Sequence, residues 1–384
     1  MFSPNRLIPY SRQLIEEDDI QAVVEVLRSD FLTQGPKVKE FEGRLAEYTG
    51  ARYAVAFANG TAALHAAYFA AGLTSGDEIV TSPITFAATA TAALYLGARP
   101  VFVDIEPDTG NINPDFIESA ITERTRAIVP IHYSGHPVDI DRIREIAARH
   151  ELLVIEDAAH AIGASYKGKK IGAHSDLITF SFHPVKPITT GEGGAVLTGS
   201  GEFYERLLLF REHGITRSPS LLQNKNEGEW FYEMQILGYN LRITDIQCAL
   251  GISQLKKIDR FIEERRKIVS YYQEALGGHE AVEIPHEKDY ARSSWHLVPA
   301  RLKGRWIQSR REIFSRLRAE KIRVQVHYIP VYLHPFYRRL GYHEGMCPIA
   351  EAFYRSELSL PVFAGMRPEE TEYVVETLKR LLAQ

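Results

Sequence analysis

Between Tyr53 and Gly251, short apolar runs alternate with longer segments whose apolar positions recur every three or four residues. The runs Tyr53-Ala54-Val55-Ala56-Phe57, Glu78 to Thr81, Pro100 to Asp104 and Leu152-Leu153-Val154-Ile155 read as buried strands, and Ile140 to His150 reads as an amphipathic helix. This alternation predicts an α/β fold with a helix-covered, mostly parallel sheet. From Ile252 to Leu276 the pattern becomes one long charged amphipathic stretch, expected to bridge to a smaller α+β domain. That domain is predicted to hold a strand around Trp295 to Pro299, a helix near Arg311 to Glu320, a strand around Arg323 to His327 and a terminal helix after Pro368. The expected division is an amino-terminal arm over 1–14, a large domain over 15–251 and a small domain over 252–384. The polar stretch Thr216 to Glu229 reads as a loop placed to close over a ligand.

Composition narrows the class. With 384 residues, 45% hydrophobic content and a formal charge of -4, the chain is expected to be a soluble globular protein with a large core. Basic residues are dispersed, and Glu263-Glu264-Arg265-Arg266-Lys267 alternates sign as a solvated helix face would, so nothing points to nucleic acid. The two cysteines, Cys248 and Cys347, lack metal-ligand spacing, which predicts packing roles, no metal and a reduced, cytoplasmic compartment. Met1 to Tyr10 has no continuous apolar h-region, and no segment reaches the length of a membrane span.

Three segments carry candidate chemistry. Lys186 stands between two prolines, Val185 and Ile188, just before a glycine cluster. Desolvation there would favour the neutral, nucleophilic amine, and the competing reading is a lysine that snorkels to water. Asp157 ends the apolar run before Ala158-Ala159-His160, where open α/β sheets place their ligands, or else it is a helix N-cap. Asn59-Gly60-Thr61-Ala62 joins a strand to an alanine-rich helix closed by Gly72, offering free amides and a hydroxyl to a phosphate; many such turns bind nothing.

Together and in this order, these segments resemble the DegT-like sugar aminotransferases, which are fold-type I pyridoxal-phosphate enzymes. Leu32-Thr33-Gln34-Gly35-Pro36, Pro83-Ile84-Thr85-Phe86-Ala87-Ala88-Thr89, Arg211-Glu212-His213-Gly214 and Gly238-Tyr239-Asn240-Leu241-Arg242 match in the same order, so the resemblance spans nearly the whole chain. It implies pyridoxal 5'-phosphate as cofactor, alternating with pyridoxamine 5'-phosphate, with Lys186 as the catalytic Schiff-base lysine. Asp157 would pair with the pyridine nitrogen, His160 would contact the ring hydroxyl side, and Phe86 would stack on the ring. Gly60, Thr61, Ala62 and Ser181 would hold the phosphate, and Asn240 would reach the phosphate of a neighbouring subunit, making a homodimer with shared sites. Because Lys186 stands where a dehydratase branch has histidine, transamination is implied, and His183 is left as a pocket-lining residue.

Within the family, the string Lys186 to Ala195, Trp230 to Met234, Ile246 to Lys257 and Val324 to Tyr332 resemble the branch of the pseudaminic acid pathway. That branch moves an amino group from L-glutamate, leaving 2-oxoglutarate, to the 4-keto carbon of a UDP-linked 2-acetamido-2,6-dideoxy-L-hexos-4-ulose, with ping-pong kinetics. The nearest alternative is a UDP-4-keto-pentose acceptor, as in lipid A modification. The same resemblance carries substrate contacts onto Tyr10, Asp30, Phe31, Leu32, Thr33, Gly60, Ser181, Asn240, Gln325, Val326, His327 and Tyr328. Gln325 to Tyr328 otherwise reads as an alternating strand. Arg242 either forks onto a diphosphate or donor carboxylate, or is a structural ion-pair partner. Two other classes compete: a pyridoxal-phosphate enzyme of another reaction type, such as a desulfurase-like or racemising protein, and a non-catalytic pyridoxal-phosphate-binding sensor.

Overall fold

A computed structural model describes residues 7–383 of the chain. The first six residues of the expected arm lie outside the described residues. The predicted sheet is present as seven strands: β1 (Tyr53–Phe57), β2 (Glu78–Thr81), β3 (Arg99–Phe102), β4 (Thr125–Val129), β5 (Leu153–Asp157), β6 (Leu177–Ser181) and β7 (Gly194–Thr198). Their order is β1-β7-β6-β5-β4-β2-β3. Every pairing from β6 to β3 is parallel, and β7 alone runs antiparallel to both its neighbours. Strands β2, β6 and β7 are buried along their whole length, as strands covered on both faces are.

Helix α1 (Gly60–Ala70) follows β1 and is almost wholly buried. Its alanines let the helix sit close on the sheet, where Ala63, Ala66, Ala67 and Ala70 pack with Val55, Phe57, Leu177 and Val196 in one apolar cluster. The contact is closest at Gly60, where an added Cβ would come within 2.9 Å of Ser181 Cβ. Helix α2 (Ile140–Arg149) covers the other side with Ile140, Ile143, Ile146 and Ala147, as its spacing predicts.

Thr244 caps helix α3 (Asp245–Leu255), its hydroxyl accepting from the Gln247 amide at 3.2 Å, and helix α4 (Ile258–Leu276) follows directly. The expected single bridge is therefore two helices. Phe261 and Ile262 of α4 belong to the large-sheet core, whereas Ile268, Val269 and Tyr272 belong to a second core. We propose that the boundary between the large and small domains runs along α4, with the arm's Ile8 packed into the small-domain core.

The small domain holds a second sheet, β8 (Val282–Glu283), β9 (Val298–Leu302) and β10 (Glu357–Leu360), ordered β8-β9-β10, with helices α5 (Arg310–Ala319) and α6 (Pro368–Leu382). Two strand expectations are corrected here. The strand expected from Trp295 starts only at Val298, because Trp295 adopts φ 48° in a turn whose amide donates to Ser293 Oγ at 3.0 Å. Arg323 to His327 makes one bridge, Gln325 to Ser359, and no strand; the His327 amide is taken instead by the Glu357 carboxyl at 2.8 Å. The stretch Thr216 to Glu229 is irregular, hung on a short ribbon pairing Ile215–Thr216 with Glu233–Met234. The Glu233 carboxylate accepts the amides of Gln223 and Asn224 at 2.8 and 2.7 Å and ties the loop to that ribbon.

Candidate active site

The carboxyl ends of β5 and β6 and the amino end of α1 open onto a cleft of about 920 Å³, closed on its far side by the small-domain segment Gln325 to Tyr328. Asp157 is the last residue of β5 and faces this cleft. The Thr89 hydroxyl donates to Asp157 Oδ2 at 2.6 Å and the Ala159 amide to Oδ1 at 3.1 Å, so the carboxylate is fixed in place and direction. Its neighbour Glu156 points the other way, to a buried 2.7 Å contact with His132 Nε2. Because His132 Nδ1 accepts the Val138 amide at 3.1 Å, Nε2 carries the hydrogen, and the pair anchors the strand behind Asp157.

Lys186 sits on the loop after β6, and its Nζ lies 3.5 Å from His296 Nε2. Burial pulls its ammonium down to about 8 against an opposing pull from the Asp157 carboxylate. The same burial, reinforced by the Lys186 charge, holds His160 and His296 well below the usual imidazole range and brings His327 down to about 3. One potential cation is thus surrounded by neutral imidazoles. His160 Nε2 meets the Tyr328 hydroxyl at 3.1 Å, while its Nδ1 is buried without a hydrogen-bond partner.

At the amino end of α1, Asn59 caps the helix by accepting the Ala62 amide at 2.8 Å. That bond commits Ala62, which does not line the cleft, and leaves Gly60 and Thr61 with the hydroxyls of Thr61 and Ser181 facing it. A phosphate-bearing pyridine aldehyde fits this set: a helix N-terminus for its phosphate, a fixed carboxylate for its ring nitrogen, a depressed lysine for its aldehyde and the unpartnered His160 nitrogen beside them. Phe86 forms part of one wall and is 63% exposed, with Tyr328 6.4 Å away.

The cleft brings together Tyr10, Gly60, Thr61, Phe86, Asp157, His160, Ser181, His183, Lys186, Gln325, Val326, His327 and Tyr328. Asp30, Phe31, Leu32, Thr33, Asn240 and Arg242 lie elsewhere, grouped on the surface through a Thr33 to Thr244 bridge and a Glu212 to Asn240 bridge. Arg242 Nη1 meets Glu212 Oε2 at 3.2 Å, so within one chain it is an ion-pair partner. Residues no motif singled out also shape the site. Asn59 is an amide side chain just before a helix start, Thr89 is a hydroxyl in a helical turn with no acid near it in sequence, and His296 is an isolated polar residue in an apolar run.

Residues 13–379 match the model of the DegT/DnrJ/EryC1/StrS aminotransferase family. The chain belongs to that family. A Campylobacter jejuni protein named UDP-4-amino-4,6-dideoxy-N-acetyl-beta-L-altrosamine transaminase is 40% identical over 98% of both chains. Among solved structures, Helicobacter pylori PseC, an aminotransferase involved in pseudaminic acid biosynthesis, aligns with TM-score 0.93 and 35% identity over 98% of this chain and 100% of its own. A Streptococcus pneumoniae protein described as a sugar aminotransferase, in its PMP form, aligns with TM-score 0.93 and 32% identity over 98% and 99%. Like the rest of its family, this aminotransferase has the fold-type I architecture and depends on pyridoxal phosphate. Among the described residues no cluster suited to a metal is present, and no helix is long and apolar enough to cross a membrane.

Proposed function

We propose that the protein transfers an amino group from L-glutamate to the 4-keto carbon of a UDP-linked 2-acetamido-2,6-dideoxy-L-hexos-4-ulose. The observation that carries this reading is the Lys186 amine, depressed to about 8 and set in a cleft with the fixed Asp157 carboxylate. The acceptor is supported by full-length similarity to transaminases of Campylobacter jejuni and Helicobacter pylori that bear the altrosamine name. When bound, the cofactor supplies an electron sink for the charge that develops on the carbon next to nitrogen. Gly60, Thr61 and Ser181 would hold its phosphate, Asp157 its ring nitrogen, and His160 the ring hydroxyl side. Lys186 Nζ then takes a proton from the donor's α-carbon and delivers it within the same site, and in the second half runs the transfer in reverse on the sugar carbon.

Tyr10, Gln325, Val326, His327 and Tyr328 form the sugar-facing wall. The surface group of Asp30 to Thr33 and Asn240 contributes through a dimer, in which the partner subunit's Asn240 completes the phosphate site. Exposed Phe31, together with exposed Trp230, Tyr232, Met234, Leu237 and Tyr239 in the stretch leading to Asn240, supplies the apolar surface such a pairing needs. The cytosol, where sugar nucleotides are made, is the proposed compartment.

Purified protein tests the reading. A yellow preparation should bleach on adding glutamate, recover with the UDP-4-keto-hexose, and yield a 4-amino sugar by mass and NMR. Bleaching by a different amino acid alone overturns the donor, preferred turnover of a UDP-4-keto-pentose overturns the acceptor, and no amino transfer to any sugar ketone leaves a sensor.

A further inference from the structure

His327 reaches the cleft from the small domain, and its partners Glu357, Ser359 and Tyr133 are fully buried. Its amide donates to Glu357 Oε2 at 2.8 Å, its carbonyl accepts from the Tyr133 hydroxyl at 2.5 Å, and its Nδ1 lies 2.8 Å from Ser359 Oγ. Ser359 Oγ is in turn 2.5 Å from Glu357 Oε1. Nε2 is left on the cleft side, beside Tyr10, with no hydrogen-bond partner among the described residues. A carboxyl, a hydroxyl and an imidazole thus form one unbroken chain from the small-domain interior to the cleft.

The carboxyl at the buried end has no ion-pair partner among the described residues. From α5, Arg310 reaches the Glu357 carbonyl at 3.5 Å, and opposite it in β9 Arg301 is committed to Glu283. On the cleft side its charge is felt by the phenols of Tyr133 and Tyr328, whose hydroxyls are bonded to the His327 carbonyl and to His160. Burial outweighs the hydrogen bonds from Ser359 and His327 and the Arg310 charge, raising the carboxyl to about 8.

We propose that Glu357 and Ser359 are positioning residues that choose which nitrogen of His327 carries the proton, making its cleft-facing nitrogen a donor while Glu357 is protonated and an acceptor once it ionises. With Glu357 protonated, its O–H donates to Ser359, the Ser359 O–H donates to Nδ1, and Nε2 keeps its hydrogen for a substrate oxygen. When Glu357 ionises, its proton passes to Ser359, the serine proton passes to Nδ1, and the proton on Nε2 leaves through the cleft. One proton is lost in total, the imidazole stays neutral throughout, and the ring reverses its hydrogen-bonding sense. At neutral pH the donor form presents an N–H to a sugar, phosphate or carboxylate oxygen.

This inference rests on the reading of His327 as a substrate contact, and one experiment separates the two. Ring-15N-histidine holoenzyme is followed by long-range 15N–1H spectra from about pH 6 to about pH 10, with the His327 signals assigned by their loss in His327→Gln. The wild type should carry Nε2–H at neutral pH and pass to Nδ1–H with a midpoint of about 8. Glu357→Gln, whose amide donates permanently to Ser359, should hold Nε2–H at every pH. Ser359→Ala should lose the transition, and Ser359→Thr should restore it. A wild-type tautomer that does not change across the range, or a transition that survives in Glu357→Gln, overturns the proposal. If the transition is present but neither 2-oxoglutarate nor UDP shifts the Nε2 resonance, the relay stands and the substrate-contact reading falls.

Discussion

At the residue scale, reactivity is set by what surrounds a group. Lys186 is an ordinary lysine in sequence terms, and its amine becomes reactive near neutral pH because burial penalises the ammonium more than Asp157 favours it. Only the neutral amine attacks an aldehyde. The rate at which apoprotein recombines with pyridoxal phosphate should therefore climb with pH to about 8 and level off there, whereas an exposed lysine would keep climbing toward ~10.4. Lys186→Ala should remove the borohydride-trappable adduct from this peptide and cut single-turnover transfer at least ~10²-fold. Thr89→Val tests the positioning of Asp157. Loss of the 2.6 Å hydroxyl contact should weaken cofactor retention by about tenfold, about 1.4 kcal/mol, measured by absorbance after graded dialysis. Lys186 and Asp157 were legible because each combines a distinctive residue type with a local pattern. Thr89, sixty-eight positions away from Asp157, was not, since a threonine in a helix start carries no mark of the carboxylate it meets.

At the element scale, helix α4 connects the two cores and carries an arginine that sequence reading assigned to a solvated face. Arg265 is only 1% exposed, in contrast to its neighbours Glu263 and Glu264. Its Nη1 reaches the carbonyls of Val362, Trp295 and His296 at 2.9, 3.2 and 3.5 Å, and burial lowers its guanidinium to about 10. Alternating charge says that a helix has a polar face, but not that one member of the run points inward at carbonyls released by a turn. The carbonyls of Trp295 and His296 lie in the turn where Trp295 leaves extended geometry, ahead of β9, and the same turn carries His296 to Lys186, whereas the Val362 carbonyl comes from the segment after β10. Arg265→Met should destabilise the fold by about 3 kcal/mol, seen as an earlier denaturant midpoint, because it leaves buried acceptors without a donor. It should also shift the pH midpoint of cofactor recombination, through displacement of His296.

At the scale of the whole molecule, the cleft of one chain contains Lys186 but not Asn240, which lies on the surface amid exposed Trp230, Tyr232, Met234, Leu237 and Tyr239. If the partner subunit's Asn240 completes each site, Lys186→Ala and Asn240→Asp proteins should each be inactive alone and regain activity when unfolded, mixed and refolded together. The mixed dimer would hold one site with both native residues. Leu237→Asp should yield monomers by sedimentation and lose activity with them. By itself, the order of apolar runs and helical periods determined the parallel sheet, the helix α1 start and the carboxyl-end position of Asp157, because these depend on local period and on which face must be buried. The inward turn of Arg265, the neutral imidazoles around Lys186 and the chain from Glu357 to His327 were decided only by tertiary packing. Each depends on desolvation and on contacts between residues distant in sequence, and neither quantity exists until the two cores close around α4.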